Sequence, residues 1–153
     1  MNKHETMLET FKHKQKVNIL LNMIIQELSE RAIAHDDTKL EDCEVDVFAE
    51  YTPKLANCTF GSDEYKEYLK QMKPALDHHY ANNSHHPEYY ANGISGMHLV
   101  DLIEMICDWK ASSMRHKDGN IRKSLEHNKQ RFNIDEQLTT ILRNTISLLD
   151  ILE

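Results

Sequence analysis

The chain has 153 residues and a formal net charge of −7, and 40% of its residues are hydrophobic. This length predicts one domain with a single core. The acidic balance argues against a general surface for nucleic acid or anionic lipid, which needs clustered lysine and arginine. Only four glycines and three prolines occur, without an alternating strand pattern, so we expect an all-α fold. The prediction is one compact domain over residues 1–153, with five or six helices.

The three cysteines, Cys43, Cys58 and Cys107, lie far apart and form no CxxC motif. This pattern predicts reduced thiols and a cytoplasmic location. The first residues are polar and lack the apolar segment of a signal peptide. No apolar run approaches the roughly 18 residues of a membrane span. We therefore expect neither membrane nor nucleic acid among the partners, and we leave self-association open.

The first predicted helix runs from about residue 5 to residue 34, because apolar residues recur there at three- and four-residue steps. His13 and His35 continue the same apolar stripe, one near each end. We expect the stripe to be buried in the core, and its members are Val17, Leu20, Leu21, Ile24, Leu28 and Ala32.

Two further helices follow in the first half of the chain. One should begin at Thr38, which has the capping-box spacing to Glu41, and end at Pro53. The next should begin after Ser62, a good N-cap, and bend at Pro74. Residues 82–96 are rich in asparagine, serine and glycine, which predicts a loop.

The second half of the chain predicts three helices. The first covers about residues 95–115, with a core face of Leu99, Leu102, Ile103, Ile106 and Trp109. A turn at residues 118–120 leads to a polar helix over about 121–132. The last helix begins after Asp135, a good N-cap. We expect it to bury Leu138, Ile141, Leu142, Ile146, Leu149 and Leu152.

An adjacent histidine and aspartate, His35-Asp36, stand at the end of the first helix, with Lys39 close behind. Imidazole and carboxylate together are ligands of Zn, Mn and Fe, and Mg is an option where oxygen dominates. The alternative is a helix C-terminus with a favourable histidine and a solvated aspartate. The position of His13 on the same stripe and the nearby lysine favour a metal site.

Three carboxylates, Asp101, Glu104 and Asp108, share one face of the helix over residues 95–115. A solvated acidic face explains Asp101 and Glu104 as well as a functional role does. Asp108 has apolar neighbours in the sequence, and a buried carboxylate needs a cation or a full set of donors. We therefore predict that Asp108, not Asp101, is the metal ligand from this helix.

Four histidines fall within nine positions, at 78, 79, 85 and 86. His79 continues an apolar stripe, whereas His78 lies about 100° away on the helix and is interpreted as a bystander. The chain has no glycine-rich phosphate loop, nucleophile elbow or HExxH motif. The remaining histidines lack such a context and are interpreted as ordinary: His4, His98, His116 and His127.

Taken together, His13, His35-Asp36 and Asp108 resemble the HD-domain superfamily of metal-dependent phosphohydrolases. Residues 35–39 are similar to its extended His-Asp motif, which ends in lysine. Residues 106–108 are similar to its final motif, and residues 85–96 to the His-His-Glu segment of its binuclear members. Residues 83–88 and 104–109 also resemble an HD-like family that is common in phage and bacterial genomes. The resemblance covers about residues 10–112.

This resemblance implies an HD-type fold that hydrolyses a phosphoester of a nucleotide or another small phosphorylated metabolite. One or two divalent ions, Mn, Fe, Mg, Co or Zn, would be bound. The ligands it implies for the first ion are His13, His35, Asp36 and Asp108, while His79, with His85 or His86, would complete a second site or bind phosphate.

The same resemblance implies roles around the metal. Lys39 would neutralise phosphate charge, Asn83 would contact the substrate, and Glu104 or Asp101 would orient the water or hold a ligand histidine. Two alternatives stay open. One is a di-iron oxygenase of the same superfamily, and the other is a non-catalytic protein that sequesters a nucleotide.

Overall fold

The computed structural model describes residues 2–59, 61–115 and 119–152, and the regular secondary structure in these ranges is entirely helical. This confirms the predicted all-α class. The α-helices described are α1 (Lys3–Ala34), α2 (Val45–Asn57), α3 (Asp63–Gln71), α4 (Lys73–Asn82), α5 (Leu99–Met114), α6 (Ile121–Arg131) and α7 (Glu136–Leu152). Short 3-10 turns cover Asp37–Leu40, Pro87–Tyr89 and Gly93–Gly96.

Contacts within the chain divide it into two compact units, Met1–His35 and Asp36–Glu153. The single domain over residues 1–153 therefore stays a prediction. None of the described helices is both long and apolar enough to cross a membrane. The three cysteines are free thiols.

The first unit is the long helix α1. Asn2 and Glu5 form a capping box at its start, each side chain accepting from the other's backbone N–H. The expectation of a buried stripe is wrong, since no residue of α1 is buried and Leu21 and Ile24 are 58% and 45% exposed. The helix is unbroken, so at about 1.5 Å per residue its His13 lies roughly 33 Å from His35. These two histidines cannot hold one ion within a single chain.

The second unit contains an apolar core formed by α5, α6 and α7. Its buried members are Met105, Ile106, Trp109, Ile121, Leu125, Ile134, Leu142 and Ile146. The Phe132 ring packs against this core and stacks on the Trp109 ring, with the two centroids 6.2 Å apart. Asp135 accepts from the backbone N–H of Leu138, as predicted for the start of the last helix.

Several predicted core positions are wrong. Leu99 and Ile103 are 75% and 38% exposed, because α5 turns its Met105–Ile106 side toward the core. On α7, Ile141 and Leu152 are 53% and 71% exposed. The turn predicted at residues 118–120 falls partly outside the described residues.

Three predicted helix boundaries also differ. No helix begins at Thr38, because its hydroxyl joins a buried hydrogen-bond network and does not cap a helix. α2 continues past Pro53 to Asn57, whose side chain donates to the Pro53 carbonyl. A break at Met72 separates α3 from α4, where Pro74 sits in the first turn and needs no hydrogen-bond acceptor.

Candidate metal centre

Asp36 is placed by a tight turn at the start of the second unit. Its backbone is left-handed, with φ 61°, a conformation that aspartate tolerates better than most residues. The Lys39 N–H donates to the Asp36 carbonyl at 2.9 Å and closes the turn. The turn holds the Asp36 carboxylate half-buried, with 20% of the side chain exposed.

His79 on α4 lies between two carboxylates. Its Nδ1 is 3.1 Å from Glu44 Oε2, and its Nε2 is 3.2 Å from Asp36 Oδ1. Both His79 and Glu44 are essentially inaccessible to solvent. Glu44 directly precedes α2, and its side chain points inward to the histidine and does not cap the helix.

His85 repeats this arrangement from the loop after α4. Its Nδ1 is 3.1 Å from Glu104 Oε1 on α5, and its Nε2 is 3.5 Å from the same Asp36 Oδ1. A carboxylate behind a ligand histidine fixes the ring orientation and tautomer in many metal sites. Two histidines with such a carboxylate therefore direct their Nε2 atoms at one aspartate oxygen.

The hydrogen positions follow from the partners. A carboxylate only accepts, so Nδ1–H of His79 donates to Glu44 and that of His85 donates to Glu104. The Thr38 hydroxyl, 2.9 Å from His79 Nδ1, fits this assignment because it donates to Glu44 Oε2 at 3.3 Å. Asn83 donates its two amide hydrogens to Thr38 Oγ1 and the His79 carbonyl, at 2.8 and 2.7 Å. It therefore does not donate to Nδ1 of His79. In the neutral ring the Nε2 atom then presents a lone pair.

The facing Nε2 lone pairs and the Asp36 oxygen need a proton or a metal ion between them. A lone pair that faces a carboxylate oxygen at 3.2 Å is repelled unless a proton or a metal ion lies between them. His86 adds a third ring, with its Nε2 3.0 Å from the Nε2 of His79. Two ring nitrogens at that distance also need a shared hydrogen or a shared cation.

Electrostatics keep the centre in a form that can bind metal. Burial lowers the pKa of His86 to about 3, helped by the nearby His85 and His79, so its ring is neutral near pH 7. Burial alone would raise the pKa of Asp36. The neighbouring His79 and His85 rings and the Lys39 ammonium outweigh burial and hold that pKa far below its usual range.

The donor set fits one divalent ion. Asp36, His79, His85 and His86 each offer an atom within 4.8 Å of the others. Ligand bonds to zinc are about 2.0–2.1 Å, so two donors of one ion lie no more than about 4 Å apart. Three of the six separations, at 3.0, 3.2 and 3.5 Å, meet that limit. Three imidazoles with one carboxylate suit Zn, Mn or Fe better than Mg.

Asp101 holds the histidine loop in place. It is fully buried and accepts from the Ser84 hydroxyl at 2.9 Å, the Tyr90 hydroxyl at 2.7 Å and the His98 N–H at 3.0 Å. A carboxylate with this many donors needs no metal. Asp101 thus holds Ser84, directly before His85, and Tyr90, five residues after it.

Asp108 is half-buried on the same helix, and one of its carboxylate oxygens lies within 4.8 Å of one from Asp36. That separation places it at the edge of the candidate centre. Lys39 is also at the centre, with its Nζ 2.5 Å from Asp36 Oδ2 and 5.1 Å from the centre of the Phe48 ring. Its cation lies beside the carboxylate that faces the histidines.

Glu104 and Asn83 lie beside histidines of the candidate centre. Glu104 contacts His85, and both of its suggested roles stay predictions. Asn83 joins Thr38 to α4, and its contact with substrate stays a prediction. His13 and His35 belong to the first unit, where His13 is exposed and His35 is half-buried. The two cannot bind the same ion within one chain, but a role for each as a metal ligand stays a prediction.

Sequence reasoning missed Glu44 and took His78 for a bystander. The two are in direct contact, with His78 Nδ1 2.6 Å from Glu44 Oε1. His78 is 38% exposed, so Glu44 joins a surface histidine to a buried one. The sequence around Glu44 is acidic and gave no signal of burial, and only its place just before an amphipathic helix set it apart.

Comparison with known proteins gives one match. No curated protein and no solved structure matches the chain. The profile of a family of unknown function (DUF5662) matches residues 2–148, nearly the whole chain. The chain therefore belongs to the DUF5662 family.

Proposed function

We propose that this protein is a metal-dependent phosphohydrolase that acts on a nucleotide or another small phosphorylated metabolite. The observation that carries the proposal is the convergence of His79, His85 and His86 on Asp36, with Glu44 and Glu104 behind two of the rings. The resemblance to HD-domain phosphohydrolases supplies the reaction class. A bound divalent ion supplies polarisation of a phosphoryl oxygen and a lowered pKa for an attacking water.

The chain's own residues divide the remaining tasks. Glu44 and Glu104 hold the rings of His79 and His85 so that their Nε2 atoms stay directed at the centre. Lys39 sits beside Asp36, and its compact ammonium would neutralise charge on a phosphoryl oxygen. Asp108 would complete the ligand set from α5.

The test is phosphate release from a panel of nucleotides and sugar phosphates, with Mn, Mg, Co, Fe or Zn added to metal-stripped protein. We expect at least one substrate to release phosphate with a transition metal, and the Asp36→Ala protein to release none. Release that is equal in the two proteins would contradict the proposal. So would oxygen consumption with no phosphate release, or tight nucleotide binding with no product.

Lys39 gives a sharper test within the same assay. Lys39→Ala should cut turnover by ~10²-fold or more, the size expected for loss of one charge-stabilising group, while metal content stays unchanged. Lys54→Ala is the matched control, because Lys54 also forms a local ion pair, with Glu50 four residues away on α2 at 2.6 Å. Equal turnover in the two variants would remove Lys39 from the mechanism.

A further inference from the structure

The helix α1 exposes an unusual amount of apolar surface. Its exposed large apolar side chains are Met7, Leu8, Phe11, Val17, Ile19, Leu20, Leu21, Met23, Ile24, Ile25 and Ile33. Soluble proteins rarely leave contiguous apolar patches of this kind uncovered, and such patches mark interaction surfaces. A helix of 32 residues with no buried side chain gains little stability from packing and needs a partner.

The spacing along α1 identifies the kind of partner. Positions 7, 11, 14, 18, 21, 25, 28 and 32 alternate steps of four and three residues, the pattern of a coiled-coil seam. Six of these eight positions are apolar, the exceptions being Lys14 and Asn18. A seam with this period is complementary to another helix that carries the same period.

Charge favours a second copy in the antiparallel direction. The first half of α1 holds four lysines and two glutamates, and the second half holds two glutamates and one arginine. Antiparallel pairing sets the basic half against the acidic half, whereas parallel pairing sets Lys14 against Lys14. With the two-fold axis midway between residues 19 and 20, Phe11 of one copy also meets Leu28 of the other.

We propose that α1 pairs with α1 of a second copy of this chain as an antiparallel two-helix coiled coil. Such an interface is self-complementary, as a two-fold dimer requires. The proposal rests on α1 alone and does not depend on the metal centre or on the reaction.

The experiment is the mass of the full chain by light scattering after size exclusion, at protein concentrations from micromolar upward. The wild type should have twice the chain mass of 17.9 kDa. The double variant Leu21→Glu, Ile25→Glu should be monomeric, since it places charges in the seam. A wild type that is monomeric at every concentration overturns the proposal.

A matched control removes the general effect of added charge. Ile19→Glu, Met23→Glu has the same spacing and the same loss of apolar surface, because the four side chains are 58–62% exposed, but it lies on the outer face. This control should stay dimeric. Loss of the dimer in the control with retention in the seam variant would overturn the proposal.

A milder variant applies if circular dichroism shows that the charged seam variant is unfolded. Leu21→Ala, Ile25→Ala should then weaken the dimer at least tenfold. An unchanged dissociation constant overturns the proposal.

Cysteine cross-linking tests the direction, in a background where Cys43, Cys58 and Cys107 are serine. A mixture of Phe11→Cys chains with Leu28→Cys chains should form a mixed disulfide. Neither variant alone should cross-link efficiently. Efficient cross-linking of Leu28→Cys with itself would overturn the antiparallel arrangement.

Discussion

The two faces of α5 are buried by different chemistry. On one face Met105 and Ile106 pack in the apolar core with α6 and α7. On the other face Asp101 and Glu104 each meet specific donors from the histidine loop. Apolar burial is non-directional and stabilises any well-packed arrangement, whereas a buried carboxylate is costly unless each partner is correctly placed. The comparison therefore separates a face that maintains the fold from one that maintains a site.

The largest effect on stability should come from the apolar face. Ile146 is fully buried in that core, so Ile146→Ala should lower the free energy of unfolding by about 2–5 kcal/mol through lost burial and a cavity. Leu148→Ala, at a position 54% exposed on the same helix, should change it by less than about 0.5 kcal/mol. Urea denaturation measures both. Metal content per folded chain should be the same in the two variants, and its selective loss in Ile146→Ala would mean that the faces are not separable.

The polar face should depend on metal. Under the proposal, metal binds the folded state only, so metal at a hundred times its Kd should add about 2.7 kcal/mol to the free energy of unfolding. Thermal unfolding with and without a chelator measures this difference. In Asp36→Ala the difference should vanish, while that protein without metal should still unfold cooperatively. A chelator effect of equal size in both proteins would place the metal elsewhere.

The smallest predicted effect, taken per pH unit, is a pH dependence of the metal-free protein. The folded state holds the pKa of His86 near 3, whereas the ordinary value is 6.5, so between these values the unfolded chain binds a proton that the folded chain does not. Stability from His86 is therefore fully present above pH 6.5 and falls as the pH drops toward 3, by at most about 1.4 kcal/mol per pH unit. His86→Asn should flatten this part of the curve, measured by urea denaturation between pH 7 and 4. An identical slope in both proteins would contradict the burial of a neutral His86.

The sequence predicted the helices where local signals and packing agree. Ser62 and Asp135 cap helices as expected, because a short polar side chain at these positions satisfies exposed N–H groups. Thr38 has the same local signal, but the buried network with His79 and Asn83 outweighs it. The apolar spacing of α1 located the helix correctly. The same spacing could not tell whether these apolar residues are buried in the chain's own core or exposed, because the three- and four-residue period is the same in both cases.

Only part of the candidate site was predicted, because burial is not visible in the sequence there either. The density of histidine and the His-Asp pair were visible in the sequence and pointed to His79, His85, His86 and Asp36. Glu44 was not visible, because an acidic residue in an acidic stretch looks solvated until its partners are known. The contrast between Asp101 and Asp108 needed the structure as well, since only contacts with Ser84 and other donors reveal that a carboxylate is already satisfied.

The most direct test of the metal centre is metal content by mass spectrometry, after purification without chelators and dialysis against a Zn, Mn and Fe mixture. We expect about one ion or more per chain in the wild type and in His127→Ala, a change on the exposed side of α6. In His85→Ala the content should fall at least tenfold, since that variant removes a ring held between Glu104 and Asp36. A His85→Ala protein that is folded and carries the full metal content would contradict the central claim.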